Sequence, residues 1–363
     1  MPSAPHPRRR WLSVSSIAPV VGLIALVVSW ERELGGVALA FVAAILIGAV
    51  LTAVHHAELI AHRVGEPYGT LVLALAVTVI EAALIVTLMI TDGDKAASLA
   101  RDTVFAAIMI VCNGVIGLCL LVSAIKNPVV RFKEEGANAL LVTVIALATL
   151  SLVLPTFTTG SPGPTFTGPQ LAFAAIASAM VYGVFVFVQT VRHRDDFLPV
   201  GHIPDAAGHQ PSQRQMRRSA GLLVVCLIAV VGLAKTLSPS IEDAVDSVGA
   251  PQAVVGVAIA MLVLLPETIA AICAALRDQM QTSVNLALGS GLASIGLTIP
   301  TIAIATIWLD GPVLLGLEAK EMVLLALTAF VTTITFRSGQ ATILPAALHL
   351  MIFAAFLFLA VNP

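Results

Sequence analysis

Eleven stretches of this chain stay apolar long enough to cross a lipid bilayer: roughly residues 14–30, 35–61, 66–90, 102–125, 136–156, 169–191, 220–237, 249–275, 279–306, 315–335 and 340–361. Crossing takes about 20 mostly apolar residues. Hydrocarbon offers no partner to a backbone N–H or C=O, so each run must close its hydrogen bonds internally, as a helix does. Only 11% of the 363 residues are charged, against about 25% in a soluble domain, and an ordinary soluble fold is excluded. The expectation is an all-α integral membrane protein of about eleven transmembrane helices. One uncharged stretch, 136–191, is too long for a single helix. The segment PTFTTGSPGPTFTGPQ, residues 155–170, divides it, because Pro and Gly at that density mark a loop.

Lys and Arg in the loops set the orientation. With a cytoplasmic N-terminus, 14 of the 19 Lys and Arg fall inside and 5 outside. A missed helix would scramble that alternation, so the split supports the span count too, and the C-terminus is then outside. Arg8-Arg9-Arg10 ahead of an apolar stretch resembles the start of a signal peptide. The uncharged run, however, is 20 residues, 11–30, and no small-x-small cleavage pattern precedes Glu31, so a retained first helix is expected. The net charge of −2 and the lack of any nucleic-acid motif give no reason to expect a nucleic-acid partner. Cys112, Cys119, Cys226 and Cys273 lie scattered in apolar runs, without the spacing of a thiolate metal site or a disulfide framework. The polar connector 192–219 carries about +2 charge and His193, His202 and His209. A solvated linker and a pH-sensing loop are both consistent with it.

Two glutamates stand inside apolar runs: Glu81 in LALAVTVIEAALIVTLM and Glu267 in GVAIAMLVLLPETIAAI. An ionisable group at mid-span is costly and therefore marks function. The two are also matched. Setting the first span aside leaves five before the connector and five after it, and an odd number per half forces opposite orientations. VTVIEAALIV aligns with VLLPETIAAI, and the next span of each half carries a small-polar break, VCNGV at 111–115 and LGSGL at 288–292. Inverted repeats with polar breaks at matching positions point to a secondary transporter site. At 1.5 Å per residue each glutamate stands roughly 5–6 Å from the midplane. The two helices run in opposite directions, so the carboxylates straddle the midplane and can meet at one ion.

Burial disfavours the charged form of a carboxyl, and a bound cation favours it. A site of this kind can hold a metal ion or protons but resists holding neither, which is the physical core of exchange. Glu81 and Glu267 are the expected metal-binding carboxylates. Asn113 and Ser290 sit at matched positions and offer neutral oxygens, with helix packing by small residues as the alternative. Asn285 lies one turn before Gly289, and Thr78 shares a face with Glu81. Pro266 frees a carbonyl one turn back, for a cation or for a simple kink. Ca²⁺ takes six to eight oxygens in irregular geometry; Na⁺ and K⁺ need similar oxygens with less charge, and two carboxylates lean toward the divalent ion. Near the cytoplasmic end of the second span, His55, Glu58 and His62 share a helical face, and Glu66 lies at the same surface. A proton path, a pH sensor or an interfacial polar cap fits them. The spacing is not HExxH, so no metalloprotease is expected.

Residues 55–85, HHAELIAHRVGEPYGTLVLALAVTVIEAALI, resemble the ChaA-type calcium/sodium–proton antiporters of the cation/calcium exchanger superfamily. Residues 266–300, PETIAAICAALRDQMQTSVNLALGSGLASIGLTIP, resemble that family's second repeat. The resemblance implies one peripheral helix, within 1–34, and two inverted five-helix repeats, 35–191 and 220–363. It also implies that Glu81 and Glu267 are the ion and proton carboxylates. Related calcium/proton exchangers carry an acidic helix between the halves, where this chain is mildly basic. Ile80 stands opposite Pro266 and Asn113 opposite Ser290, so the two halves differ around their carboxylates. The expected activity is export of Ca²⁺, with Na⁺ or K⁺ as further cargo, against entering H⁺, across the bilayer of a bacterial inner membrane and without a cofactor. A cation channel using the same carboxylates is the rival. No nucleophile elbow, HExxH or aspartate-rich phosphate motif supports an enzyme.

Overall fold

The computed structural model describes residues 8–30, 32, 35–64, 68–92, 97–198, 212–247, 249, 251, 253–308 and 313–362. Within these the apolar runs form eleven helical rods. They are α1 (Arg8–Ser29), α2 (Gly36–Val64), α3 (Tyr68–Asp92), α4 (Leu99–Lys126), α5 (Glu134–Phe157), α6 (Gly168–Arg192), α7 (Gln213–Ser247), α8 (Ala253–Leu276), α9 (Met280–Ala305), α10 (Ala319–Arg337) and α11 (Ile343–Val361). Among the described residues eight are long and apolar enough to cross a membrane, and α8 makes a ninth if its two segments, bent by 51°, count as one span. In α1 and α3 the described apolar stretches are shorter, Ser15–Ser29 and Thr78–Ile90.

Local chemistry sets the ends. The Pro/Gly-rich stretch stops α5 at Phe157, and α6 starts from a capping box in which the Thr167 N–H donates to Gln170 Oε1 at 2.8 Å. Glu318 and Glu321 build the same device at the head of α10. The largest departure from the apolar runs is α7, which extends well beyond 220–237 at both ends and contains Pro239. The two small-polar segments also differ from expectation. Residues Ile110–Val115 of α4 form a π-helical turn, whereas Gly289-Ser290-Gly291 lie in unbroken α-helix. Gly291 instead gives close approach, since a methyl there would meet the Val111 side chain at 3.4 Å.

The loops sort into two faces. On one, β1 (Val130–Arg131) after α4 pairs antiparallel with β2 (Gln340–Ala341) before α11. Asn127 bonds Asp278, and Lys133 bonds Gln281 through its backbone N–H and the Asp195 carbonyl through its ammonium. On the other, the Leu314 N–H donates to the Ala97 carbonyl, and Leu315 and Gly316 donate to the Pro164 carbonyl. Loops that follow α4, α6, α8 and α10 thus meet one another, and those that follow α3, α5 and α9 meet each other.

Helix contacts are reciprocal. α3 packs on α9 and α8 packs on α4; α6 packs on α9 and α11 on α4; α2 pairs with α7 and α5 with α10. This is the pairing of an inverted-repeat fold. α4 and α9 are its axis: 89% of the α4 span and 67% of α9 are buried, against 22% of α11. The apolar interior divides into two main bodies. The larger joins α4, α5, α6, α9, α10 and α11. The smaller joins Leu26 of α1, Leu46 and Val50 of α2, and Cys226 and Leu233 of α7. α8 lies in the seam, with Val257, Ala260 and Leu264 in the larger body and Val255, Ile259 and Val263 in the smaller.

Candidate functional site

Glu81 lies on α3 directly after Ile80, which belongs to the smaller body. Its carboxyl is 2% exposed, and its Oε1 accepts a hydrogen bond of 2.6 Å from Ser294 Oγ of α9. Glu267 lies on α8, at the first residue after the bend, and is 3% exposed. Both of its carboxyl oxygens are buried with no hydrogen-bond partner among the described residues. The Glu81 carboxyl is within its electrostatic reach. The Pro266 side chain lies outside the described residues; a proline at this point of the helix removes one ladder bond and accounts for a bend.

Among the described residues one carboxyl therefore has a single hydroxyl donor, and the other has none. A buried anionic oxygen without a partner is strongly unfavourable. The pair needs a proton or a cation to complete it, and hydroxyl and backbone oxygens can add to its shell. Among the described residues no group of three or more His, Cys, Asp or Glu forms a metal cluster. Two carboxyls with neighbouring hydroxyl and backbone oxygens could offer the hard-oxygen chemistry suited to alkali and alkaline-earth ions.

The other expected residues divide. Thr78 is buried one turn before Glu81, and Ser290 is buried one turn before Ser294. Asn113 and Asn285 are engaged elsewhere. Asn113 Nδ2 donates to Thr328 Oγ1 of α10 at 2.9 Å, while His349 Nδ1 of α11 donates to Asn113 Oδ1 at 3.3 Å. Asn285 Nδ2 donates to the Phe197 carbonyl, and its Oδ1 accepts from Gln281 Nε2 at 3.0 Å. Asn285 thus fastens the turn that leads into the connector. In the histidine cluster, His55 and Glu58 are half-buried, and the His62 side chain lies outside the described residues, as does Glu66. The neighbouring His56 makes the tertiary contact, with its Nε2 2.9 Å from the Ser15 carbonyl of α1.

Two buried polar residues were not singled out in the sequence. Ser294 is four residues after Ser290, the spacing of one helical face, and that was its available signal. His349 is the only histidine within the apolar runs after the connector, and it is fully buried.

Comparison with known proteins identifies the family and the fold. The model of the family described as sodium/calcium exchanger protein matches residues 33–191 and 218–362. The protein y4hA of Sinorhizobium fredii (strain NBRC 101917 / NGR234), named provisionally as an ionic transporter, is 45% identical over 352 residues, 96% of each chain. The sodium-potassium/proton antiporter ChaA of Escherichia coli (strain K12) is 35% identical over 358 residues, also 96% of each. Among solved structures, the H⁺/Ca²⁺ exchanger CAX superposes with a TM-score of 0.73 at 15% identity, covering 97% of this chain and 88% of that one. Native YfkE gives 0.70 at 16%, covering 97% and 99%. At such identities the two structures speak for the fold alone.

Proposed function

This chain belongs to the sodium/calcium exchanger protein family, and from that premise we propose that it is an antiporter exporting Ca²⁺, with Na⁺ or K⁺ as further cargo, in exchange for H⁺ bound at the same Glu81 and Glu267 carboxyls. The observation that carries this reading is the state of those carboxyls: both buried, and among the described residues one accepts from a single serine and the other from none. Binding a cation demands loss of protons, and departure of the cation demands their return, because among the described residues neither carboxyl has enough donors to remain charged alone. The name of ChaA favours the monovalent ions; two carboxylates suit the divalent ion.

Motion follows from the seam. The smaller body of α1, α2 and α7 moves against the larger one, and Glu81 and Glu267 face opposite sides of the bilayer in turn. The repeats comprise 35–191 and 220–363, with 1–34 as a peripheral element and 192–219 as the cytoplasmic link. Ser294 joins Glu81, Glu267, Thr78 and Ser290 in the site. Sorting of the loops into two faces supports a multi-pass chain, and the excess of Lys and Arg on one side supports a cytoplasmic N-terminus and connector, in a bacterial inner membrane. The half-buried His55 and Glu58 and the buried His56 form a polar end to α2 on that side.

The test uses inverted membrane vesicles energised with a proton gradient, with pH dissipation recorded on adding Ca²⁺, Na⁺ or K⁺. Glu81→Gln and Glu267→Gln each abolish exchange. Full activity in both would refute the site. Cation accumulation against its gradient, driven by protons, separates an antiporter from a channel.

A further inference from the structure

A third apolar cluster lies apart from the two main bodies. It consists of Ile85 of α3, Ala100 of α4 and Ile302 of α9, all buried, with Met89 and Val313 packed against them. α3 and α9 both run toward the face where the loops after α3, α5 and α9 meet, and α4 starts there. The cluster therefore stands between that face and the Glu81 carboxyl. Ile85 is four residues beyond Glu81, about 6 Å nearer the face. Ile302 is two turns beyond Ser294, which donates to Glu81. The loop beside the cluster is fastened down. The Leu314 N–H donates to the Ala97 carbonyl at 2.9 Å, and Arg101 Nη1 donates to the Gly316 carbonyl at 3.3 Å.

One turn deeper on each of the three helices is a buried polar side chain. On α3 it is Glu81. On α9 it is Thr298, four residues before Ile302. On α4, which runs the opposite way, it is Thr103, three residues after Ala100. Residues three or four apart share a helical face. Ser294 meets Glu81 and Ile302 clusters with Ile85, so Thr298 between them faces α3 as well. The hydroxyls of Thr103 and Thr298 are enclosed and have no hydrogen-bond partner among the described residues. A helical threonine can close its hydroxyl on the carbonyl one turn back. Thr87 of α3, Thr268 of α8 and Thr301 of α9 do so at 2.7, 2.8 and 2.8 Å. Thr103 and Thr298 do not, and a buried hydroxyl left unpaired is unfavourable. Two such hydroxyls therefore lie directly beneath an apolar plug, one of them a single turn from the serine that holds Glu81.

A small cation moving between Glu81 and this face crosses apolar ground unless it finds oxygens. Two neutral hydroxyls supply oxygen without adding charge. They hold a partly hydrated ion weakly enough to release it, as passage requires. The apolar side chains above them exclude water, and an apolar constriction closes a path by dewetting. We propose that Thr103 and Thr298 form a transit site for a partly hydrated alkali or alkaline-earth cation between Glu81 and this face, and that Ile85, Ala100 and Ile302 form the gate that closes it. The inference rests on exchange through Glu81 and Glu267. The gate is shut in this structure, and it opens when α3 and α9 part from the head of α4.

The transit site is tested by removing the hydroxyls while keeping the side-chain shape. Thr103→Val, Thr298→Val, the Thr103→Val/Thr298→Val double variant and the two serine variants are compared with wild type. Exchange of Ca²⁺ and of K⁺ is followed in inverted vesicles, and melting is followed in detergent. The double valine variant melts no lower than wild type, because it loses no hydrogen bond, yet its exchange slows by about tenfold, the scale of one hydrogen bond. Thr103→Ser and Thr298→Ser keep the wild-type rate. Wild-type exchange in the double valine variant, or a lower melting temperature, overturns the transit site. The gate is tested by access. Thr298→Cys, in a Cys273→Ser background that removes the exposed native thiol, is treated with a membrane-impermeant thiosulfonate from either side of the membrane. Ile85→Ala or Ile302→Ala speeds its modification from the face of the Ala97–Leu314 contact and leaves the rate from the opposite side unchanged. Equal rates with and without these variants overturn the gate. Access is read without exchange, so it is also measured in a Glu81→Gln background. Full exchange by Glu81→Gln would refute the carboxyl site and leave the access comparison readable.

Discussion

Glu81 and Glu267 occupy matched positions but have unlike surroundings. Ser294 donates to Glu81, and nothing among the described residues donates to Glu267. A hydrogen bond to a charged group contributes about 1.5–3 kcal/mol. Ser294→Ala is therefore expected to raise the cation concentration for half-maximal exchange about tenfold, and Ser294→Thr to restore it; titrating vesicles with Ca²⁺ measures both. The carboxyls were legible in the sequence because an ionisable residue within an apolar run is conspicuous whatever it touches. Ser294 was not, because serines are common in membrane helices and only tertiary packing of α3 on α9 selects one of them. Asn113 and Asn285 show the same limit. Their polarity was evident, but which neighbour receives an amide depends on helix rotation, and here α10, α11 and the Phe197 carbonyl receive them.

The elements followed hydrophobic pattern closely where a loop interrupts it. The Pro/Gly stretch at 155–170 ends α5 and caps α6 much as its composition implied. α7 exceeded its run because polar residues at both ends remain helical outside the hydrocarbon, where hydropathy has no say. The π-turn of α4 was visible only as a small-polar segment, and an identical reading of α9 gave a break that is absent. Close helix approach is the common element-level device. A methyl at Gly296 of α9 would meet Tyr182 Cβ of α6 at 2.8 Å. Gly296→Val separates these helices, and overpacking of this kind costs about 1–3 kcal/mol. The expected outcome is a lower melting temperature in detergent and less protein in the membrane; a variant with unchanged melting would show that α6 can shift freely against α9.

For the whole molecule, the inverted architecture was readable from an odd number of spans on either side of a polar connector. The division into two apolar bodies was not, because each helix reads as equally apolar and only three-dimensional contact separates them. That division has a further consequence. The smaller body presents Ile24 and Val27 of α1, Phe41 of α2, and Val224 and Ile228 of α7 to the exterior. In the cycle proposed above this body slides, and acyl chains rather than protein must follow it. Part of the barrier to transport is then elastic energy stored in the lipid, which depends on the match between hydrocarbon thickness and helix length. Reconstitution in a series of phosphatidylcholines from about 14 to 22 carbons should give a turnover rate with a maximum at one chain length and little change in cation affinity. A rate indifferent to chain length would mean that the moving body travels without deforming the bilayer. The membrane around this protein is thus a mechanical component of the cycle as well as its solvent.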